Sequence, residues 1–336
     1  MAKGELRERL LELLASFEGS SIPQSYIHRA LGASKSRVSE LLAELEREGL
    51  VRRQRIGRLN LVEVQRGVAR RRAAARKSAL KIGIVYSSEY TFLAQMAKSL
   101  RLRGYRLATR VYEDGLDALG GLVEGEVDMA LSPLVGQLYM HPAYRSYRIV
   151  AAGMAGGYRI LYKEGADLVY STRLSTMDLA RSVAQEAGLV EGEVVYYSTP
   201  GQVLSSAPRT GGYVIVWHPL YEELKTRGFR EIGGPLEEVP ACCSLAISRA
   251  LPEDVAEEVA RAYLGSLDSA ARSPEKGLEY YSAVTGIDAA VLRRALEDYR
   301  PVKLDRREVD KVVSRISAGV PQRRAYDEAL IFSSEL

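Results

Sequence analysis

Cysteine is almost absent from this chain. Its 336 residues contain two, Cys242 and Cys243, and they are adjacent. Neighbouring cysteines close no useful loop, so a disulfide-stapled scaffold is excluded and the usage fits a reducing interior. Asparagine occurs once, at Asn60. Sparing use of thermolabile side chains is a habit of thermophilic proteins. The three histidines, His28, His141 and His218, lie too far apart in sequence to form a metal-spaced cluster. No apolar run approaches the ~18 residues of a membrane span, so no membrane partner is expected. The opening MAKGELRERL carries charges where a secretory leader needs an apolar core, so a cytoplasmic location is expected. No nucleophile elbow, P-loop or GxGxxG run is present, and Gly120-Gly121 and Gly156-Gly157 read as turns. No catalytic residue, cofactor or metal is expected, and the chain reads as a binding protein rather than an enzyme.

Hydrophobic residues make up 46% of the chain and charged residues 27%, an ordinary globular balance. At about 150 residues per domain, the length suggests two or three domains. The net charge of +4 is unevenly spread. Residues 1–78 hold 17 of the 47 basic and 9 of the 43 acidic side chains, leaving 30 against 34 in the remainder. A basic first module on a mildly acidic body points to a polyanionic partner for the first part.

Within residues 1–65, Leu6, Leu10, Leu13, Leu14 and Phe17 recur at helical spacing. A second short helix is expected from Pro23 to Leu31, ended by Gly32. Ser34 is placed to cap a third, which buries Val38, Leu41, Leu42 and Leu45 and stops at Gly49. Two strand-like runs follow, Leu50–Arg55 and Leu59–Val64, around Gly57. The stretch LGASKSRVSELLAELEREGLVRRQRIGRLNLVEV resembles the winged helix-turn-helix of MarR-type prokaryotic regulators. That resemblance implies a double-stranded DNA partner. It places Ser34, Lys35, Ser36, Arg37 and Ser39 on a recognition helix at base edges, and Arg52, Arg53, Arg55 and Arg58 on a wing at phosphates or the minor groove. Residues 66–79 form a basic linker. Six of its side chains are basic, and it reads equally as a helix or as a disordered tether.

From residue 80 the pattern changes to alternating strands and helices: IGIVYSS, a helix from Tyr90 to Arg103, YRLATRVY, a helix at Asp117–Val123, VDMALSPL, then YRIVAAGMA. A second set runs through LVYSTRLSTMDLARSVAQEAGL, VVYYSTPGQVL and GYVIVWHPLYEELKTRGF. The segment VPACCSLAISRAL returns to the first lobe. Helices are expected at Glu253–Ser269, Pro274–Thr285, Ala289–Tyr299 and Asp305–Ile316. The alternation predicts α/β architecture with parallel sheets.

The segments IGIVYSSEYTFLAQMAKSL, GEVDMALSP, STRLSTMDLA, VIVWHPLYEELKTRGF and LPEDVAEEVARAYL, taken in order, resemble the type II periplasmic-binding-protein fold. Within it they resemble the nitrate/sulfonate and pyrimidine-precursor (NMT1/THI5-like) branch. The fold class that follows is α/β: a winged helix-turn-helix ahead of a two-lobed binding domain at 80–336, with lobe I at 80–156 and 239–336 and lobe II at 157–238. This order is similar to LysR-type regulators, which implies a homodimer whose body senses a small-molecule effector.

In such folds ligands sit outside the carboxyl ends of the strands, against helix N-termini. Those junctions offer Ser87, Ser88, Glu89, Tyr90, Ser132, Pro133, Ser171, Thr172, Ser198, Thr199, Trp217 and His218. Hydroxyls at helix starts suit an anion or a polar heterocycle, and equally serve as plain caps. Trp217, Tyr90 and Tyr197 offer ring faces. Glu89 instead favours a ligand carrying an amine or ring N–H. His218 and His141, each before a proline, also read as structural. Two further readings follow from the resemblance. One is a pyrimidine-precursor synthase, which needs a metal at Cys242 or Cys243. The other is a solute-binding protein that is not secreted. Adjacent residues of a strand face opposite ways, so Cys242 and Cys243 are expected to diverge as buried structural thiols.

Overall fold

The computed structural model describes residues 3–17, 20–56, 59–65, 79–316, 318–319 and 326–335. The basic linker expected at 66–79 lies outside these up to Ser78, as does Arg58, expected on a wing. The chain divides into two compact units, Met1–Ser78 and Ala79–Leu336. Among the described residues no helix is long and apolar enough to cross a membrane.

The N-terminal unit has three helices, α1 (Lys3–Ala15), α2 (Gln24–Leu31) and α3 (Lys35–Arg47), and three strands, β1 (Ser21–Pro23), β2 (Val51–Ile56) and β3 (Leu59–Val64). The strands form one antiparallel sheet in the order β1-β3-β2. Strand β1 is too short to leave a periodic signal in the sequence. Leu10, Leu14, Ile27, Val38, Leu42 and Leu45 are fully enclosed, so the helical stripes converge on one core. Ser34 caps α3 by accepting from the Arg37 backbone N–H.

The second unit contains two sheets. The first has the order β14-β7-β13-β6-β4-β5, with β15 (Leu330–Ile331) also on β7. Its strands are β4 (Ala79–Val85), β5 (Arg106–Tyr112), β6 (Met129–Pro133), β7 (Tyr147–Gly156), β13 (Cys243–Ser248) and β14 (Tyr299–Lys303). The second has the order β10-β9-β11-β8-β12. It is built from β8 (Tyr158–Lys163), β9 (Leu168–Ser171), β10 (Glu193–Tyr196), β11 (Gly212–Trp217) and β12 (Arg230–Gly233). The helices are α4 (Leu93–Leu102), α5 (Gly115–Val123), α6 (Leu134–Tyr144), α7 (Thr176–Glu186), α8 (Pro200–Thr210), α9 (Leu220–Thr226), α10 (Glu253–Arg272), α11 (Leu278–Thr285), α12 (Ala289–Ala295) and α13 (Arg306–Ser314).

The sheets are mixed, not parallel. Strands β5, β4 and β6 run parallel, but β13 is antiparallel to both β6 and β7. In the second sheet β8 is antiparallel to β11 and β12. The helix expected at Ala289–Tyr299 ends at Ala295, and Tyr299 opens β14 on the edge beside β7. Pro301 favours the strand there, because the residue before a proline, Arg300, is pushed towards extended backbone. The helix expected from Tyr90 begins at Leu93, since Glu89 to Phe92 form a turn that buries Glu89 and Tyr90. Helix α6 and strand β8 were not foreseen.

A buried amide joins three elements of the first lobe. The Gln137 side chain, fully enclosed on α6, donates to Ser132 O and Oγ and to Ser244 O, and accepts from Ser244 Oγ at 2.7 Å. Its amide nitrogen and its oxygen are thus both partnered where an unpaired group would be costly.

Candidate functional site

The strand ends of both sheets meet at a crevice with about 460 Å³ of empty space, its mouth included. From the first lobe come Val85 at the end of β4, Ser87, Glu89 and Tyr90 after it, Asp114 to Leu116 after β5, Pro133 at the end of β6, Cys242 just before β13 and Cys243 at its start. The second lobe contributes the β9–α7 loop and the first residues of α7, Thr172 to Met177, and Trp217 at the end of β11.

The loops are held by their own caps. Ser175 Oγ accepts from the Met177 and Asp178 N–H groups at 3.1 and 3.2 Å and lies 2.6 Å from Thr172 Oγ1. Leu174 takes a left-handed φ of 50° to make the turn. Asp114 caps α5 through the Leu116 N–H at 2.6 Å, and burial raises its carboxyl above the ordinary range. Thr176 Oγ1 donates across the crevice to Cys242 O at 3.0 Å. Trp217 Nε1 donates to Tyr86 O at 2.7 Å, and its ring stacks on Tyr197 with an interplanar angle of 21°.

The floor is acidic and soft. Glu89 is only 2% exposed, and its Oε1 accepts from the Cys243 N–H at 3.2 Å. Burial, then the neighbouring Cys242, holds its carboxyl well above the usual range. The Cys242 and Cys243 Sγ atoms lie 3.7 Å apart. Donation from Cys243 pulls the Cys242 thiol down, while burial pushes the Cys243 thiol well up. Tyr90 is buried with its hydroxyl against the Cys243 thiol, and burial holds its phenol well above the ordinary range. Arg173, exposed with its guanidinium 4.4 Å above the Tyr196 ring, is the one basic side chain among the lining residues.

Two lobes that face each other across one crevice have relatives among solved structures. The fold is similar to the ligand-binding component of an ABC-type import system from Staphylococcus aureus, solved with zinc bound. That match has a TM-score of 0.62 and 16% identity, covering 75% of this chain and 99% of the other. It is similar to the alkanesulfonate-binding protein SsuA from Xanthomonas axonopodis pv. citri bound to MOPS (0.60, 16%, 76% and 98%). It is also similar to the Candida albicans CA3427 product, described as having the generic periplasmic binding protein fold (0.61, 12%, 76% and 96%). The two-lobed unit has the periplasmic-binding-protein fold. Residues 5–65 match a domain of unknown function (DUF7343). By sequence, no curated protein matches the chain.

Within this binding-protein fold, Ser87, Glu89, Tyr90, Pro133, Thr172 and Trp217 line the crevice. The other six candidates stand outside it. Ser88 Oγ is spent on His218 Nδ1 at 2.7 Å. Ser132 is spent on Gln137. Ser171 is sealed at the end of β9. Ser198 is exposed, and Thr199 caps α8. Tyr197 turns its hydroxyl to Ile215 O. His141 on α6 packs edge-on against Tyr147 of β7.

The cysteine expectation is overturned. Cys242 sits in the bend before β13 rather than in a strand, so strand alternation does not apply and the thiols converge. Sequence reasoning also missed Asp114 to Leu116 and Arg173 to Met177. The signals were there: an Asp-Gly pair and a Ser-Thr pair, each opening a helix.

In the N-terminal unit Ser34, Lys35, Ser36 and Arg37 are exposed and Ser39 is half-buried. Arg52 and Arg55 are exposed on β2. Arg53 is committed elsewhere: its Nε and backbone N–H both bond the Glu46 carboxylate at 2.8 Å.

His218 gives a pH expectation. It is 1% exposed, and burial lowers its imidazole to about 4, with Asp298 opposing and Arg294, Arg159 and Lys225 assisting. The unfolded chain binds this proton near pH 6.5 and the folded chain only near 4. Stability from this group is therefore present above pH 6.5 and is lost as pH falls through 4. Melting curves from pH 7 to 4 are expected to show that decline, and His218→Gln to flatten it. A variant curve parallel to the parent's would assign the decline to another group.

Proposed function

We propose that residues 79–336 bind a small polar molecule in the crevice without transforming it. The carrying observation is the convergence of both lobes' strand ends and two capped helix starts on one enclosed space. The S. aureus and X. axonopodis proteins, which share the fold, hold ligands as described above. A floor made of Glu89 and two thiols favours a cation or an N–H donor over the sulfonate group of MOPS. In a thermal-shift panel of sulfonates, amines, aminopyrimidines and metal ions, a ligand at 100 times its Kd adds about 2.7 kcal/mol. For a unit of this size that is roughly 5–10 °C. A flat panel would count against the reading.

A second reading concerns the N-terminal unit, which we propose is a winged helix-turn-helix that carries crevice occupancy to DNA as a ligand-responsive regulator. Three helices followed by the β2–β3 hairpin, with Lys35, Ser36 and Arg37 exposed at the start of α3, support it. So does the basic excess of residues 1–78. A homodimer would match two half-sites one helical turn apart. Selection of genomic fragments by the full chain is expected to enrich one site. Arg37→Ala is expected to weaken that site by about 1–3 kcal/mol while sparing random DNA. Arg52→Ala is expected to weaken all sequences and lower the salt slope by about 1. Equal loss on every sequence with Arg37→Ala would reject the recognition-helix assignment.

A further inference from the structure

We propose that the crevice floor is a three-ligand site for a thiophilic divalent cation of the zinc class, held by Glu89, Cys242 and Cys243. This rests on the crevice reading and names its ligand. The Glu89 carboxylate oxygen and the two Sγ atoms lie within 4.8 Å of one another, and all three residues are buried. Tetrahedral zinc with metal–sulfur bonds of about 2.3 Å sets its two sulfurs about 3.8 Å apart. The Sγ atoms stand 3.7 Å apart before any ion enters. The carboxylate needs to move by only about 1 Å to complete the set.

The backbone is shaped for this convergence. The chain bends at Cys242, and the β13–β7 register slips between Ser244 and Leu245. Opposite the slip stands Gly153, where a Cβ would fall 2.0 Å from Cys243 O. Without glycine there, Cys243 could not sit where it does. Thr176 fixes the Cys242 carbonyl from the other lobe.

The chemistry is balanced. Without an ion, a carboxyl and two thiols crowd a buried floor among the uncharged rings of Tyr90, Tyr263, Tyr281 and Tyr299. Binding M²⁺ releases the two thiol protons and the carboxyl proton where it is bound, leaving two thiolates and a carboxylate around the ion. The fourth position faces the crevice, where water or a donor atom of a small molecule completes the coordination. Soft thiolates with one carboxylate favour zinc over magnesium or calcium, which take all-oxygen shells.

The test is titration of the reduced full chain with cobalt(II), followed by zinc. The expected result is thiolate-to-cobalt charge-transfer absorption that saturates at one equivalent and is abolished by zinc. Cys242→Ser and Cys243→Ser should each remove most of that absorption. Glu89→Gln should keep it at roughly tenfold or more weaker affinity. Metal-free melting curves of the variants report folding independently. Absence of the absorption in the intact chain, with both thiols counted as reduced, would overturn the site, as would its persistence in both cysteine variants. If small molecules stabilise the chain and cobalt does not bind, the metal site falls and the crevice reading stands. If neither binds, both fall.

Discussion

Gly157→Ala is expected to lower the melting temperature of the 79–336 unit by about 6–12 °C, the equivalent of about 3 kcal/mol. Gly157 lies where the chain leaves β7 for β8 and crosses between the lobes, with φ of 70°. An added Cβ would fall 1.8 Å from Tyr299 Cε1. That ring cannot yield freely, because its hydroxyl bonds Ser87 Oγ and Gly157 O at 3.3 Å. Two costs therefore add: about 1 kcal/mol for the left-handed backbone and the larger one of displacing a half-buried ring held by its hydroxyl. Gly104→Ala is the control. Its φ is 89°, and nothing lies within 4 Å of the new Cβ, so only the backbone cost of about 1 kcal/mol applies. Equal melting shifts for the two variants, followed by circular dichroism, would show that crowding at the crossing contributes nothing.

Trp217→Ala is expected to weaken a crevice ligand by roughly 100-fold, about 3 kcal/mol, while the chain stays folded. Trp217 is half-buried, so its removal costs the core less than it costs the site. It supplies a ring wall on the second lobe and ties that lobe to Tyr86 O of the first through Nε1. Trp217→Phe keeps a ring and loses the donor, and should recover part of the affinity. Calorimetric titration with whichever compound or ion stabilises the parent chain measures both. An alanine variant that binds as tightly as the parent would remove Trp217 from the site.

The sequence was most legible where one local rule suffices. Ser87, Glu89, Tyr90, Thr172 and Trp217 were read as strand-end residues by finding where apolar runs stop. Strand direction was not legible, because hydrophobicity is blind to it: β13 reads like any buried strand yet runs against both its neighbours. Half of the candidates stand outside the crevice: Ser88 found a nearer partner in His218 and Ser132 in Gln137, Ser171 is sealed at the end of β9, and Ser198 faces solvent. The cysteine pair misled for the opposite reason. Alternation is a property of paired strand, and a single bend at Cys242 cancels it. Loop residues such as Arg173 and Leu174 reach the crevice through a turn whose shape depends on backbone torsions that side-chain chemistry does not announce.

Trp217 is the only tryptophan in the chain, and it lines the crevice, so its emission reports occupancy directly. The 336-residue chain, titrated with the stabilising members of the panel and with the low-molecular-mass fraction of a cell extract, is expected to show a saturable change in that emission. The change should be weakened by Thr176→Val, which removes the bond across the crevice to Cys242 O. Emission that stays constant through the whole panel and the extract would contradict the claim that this crevice binds a small ligand.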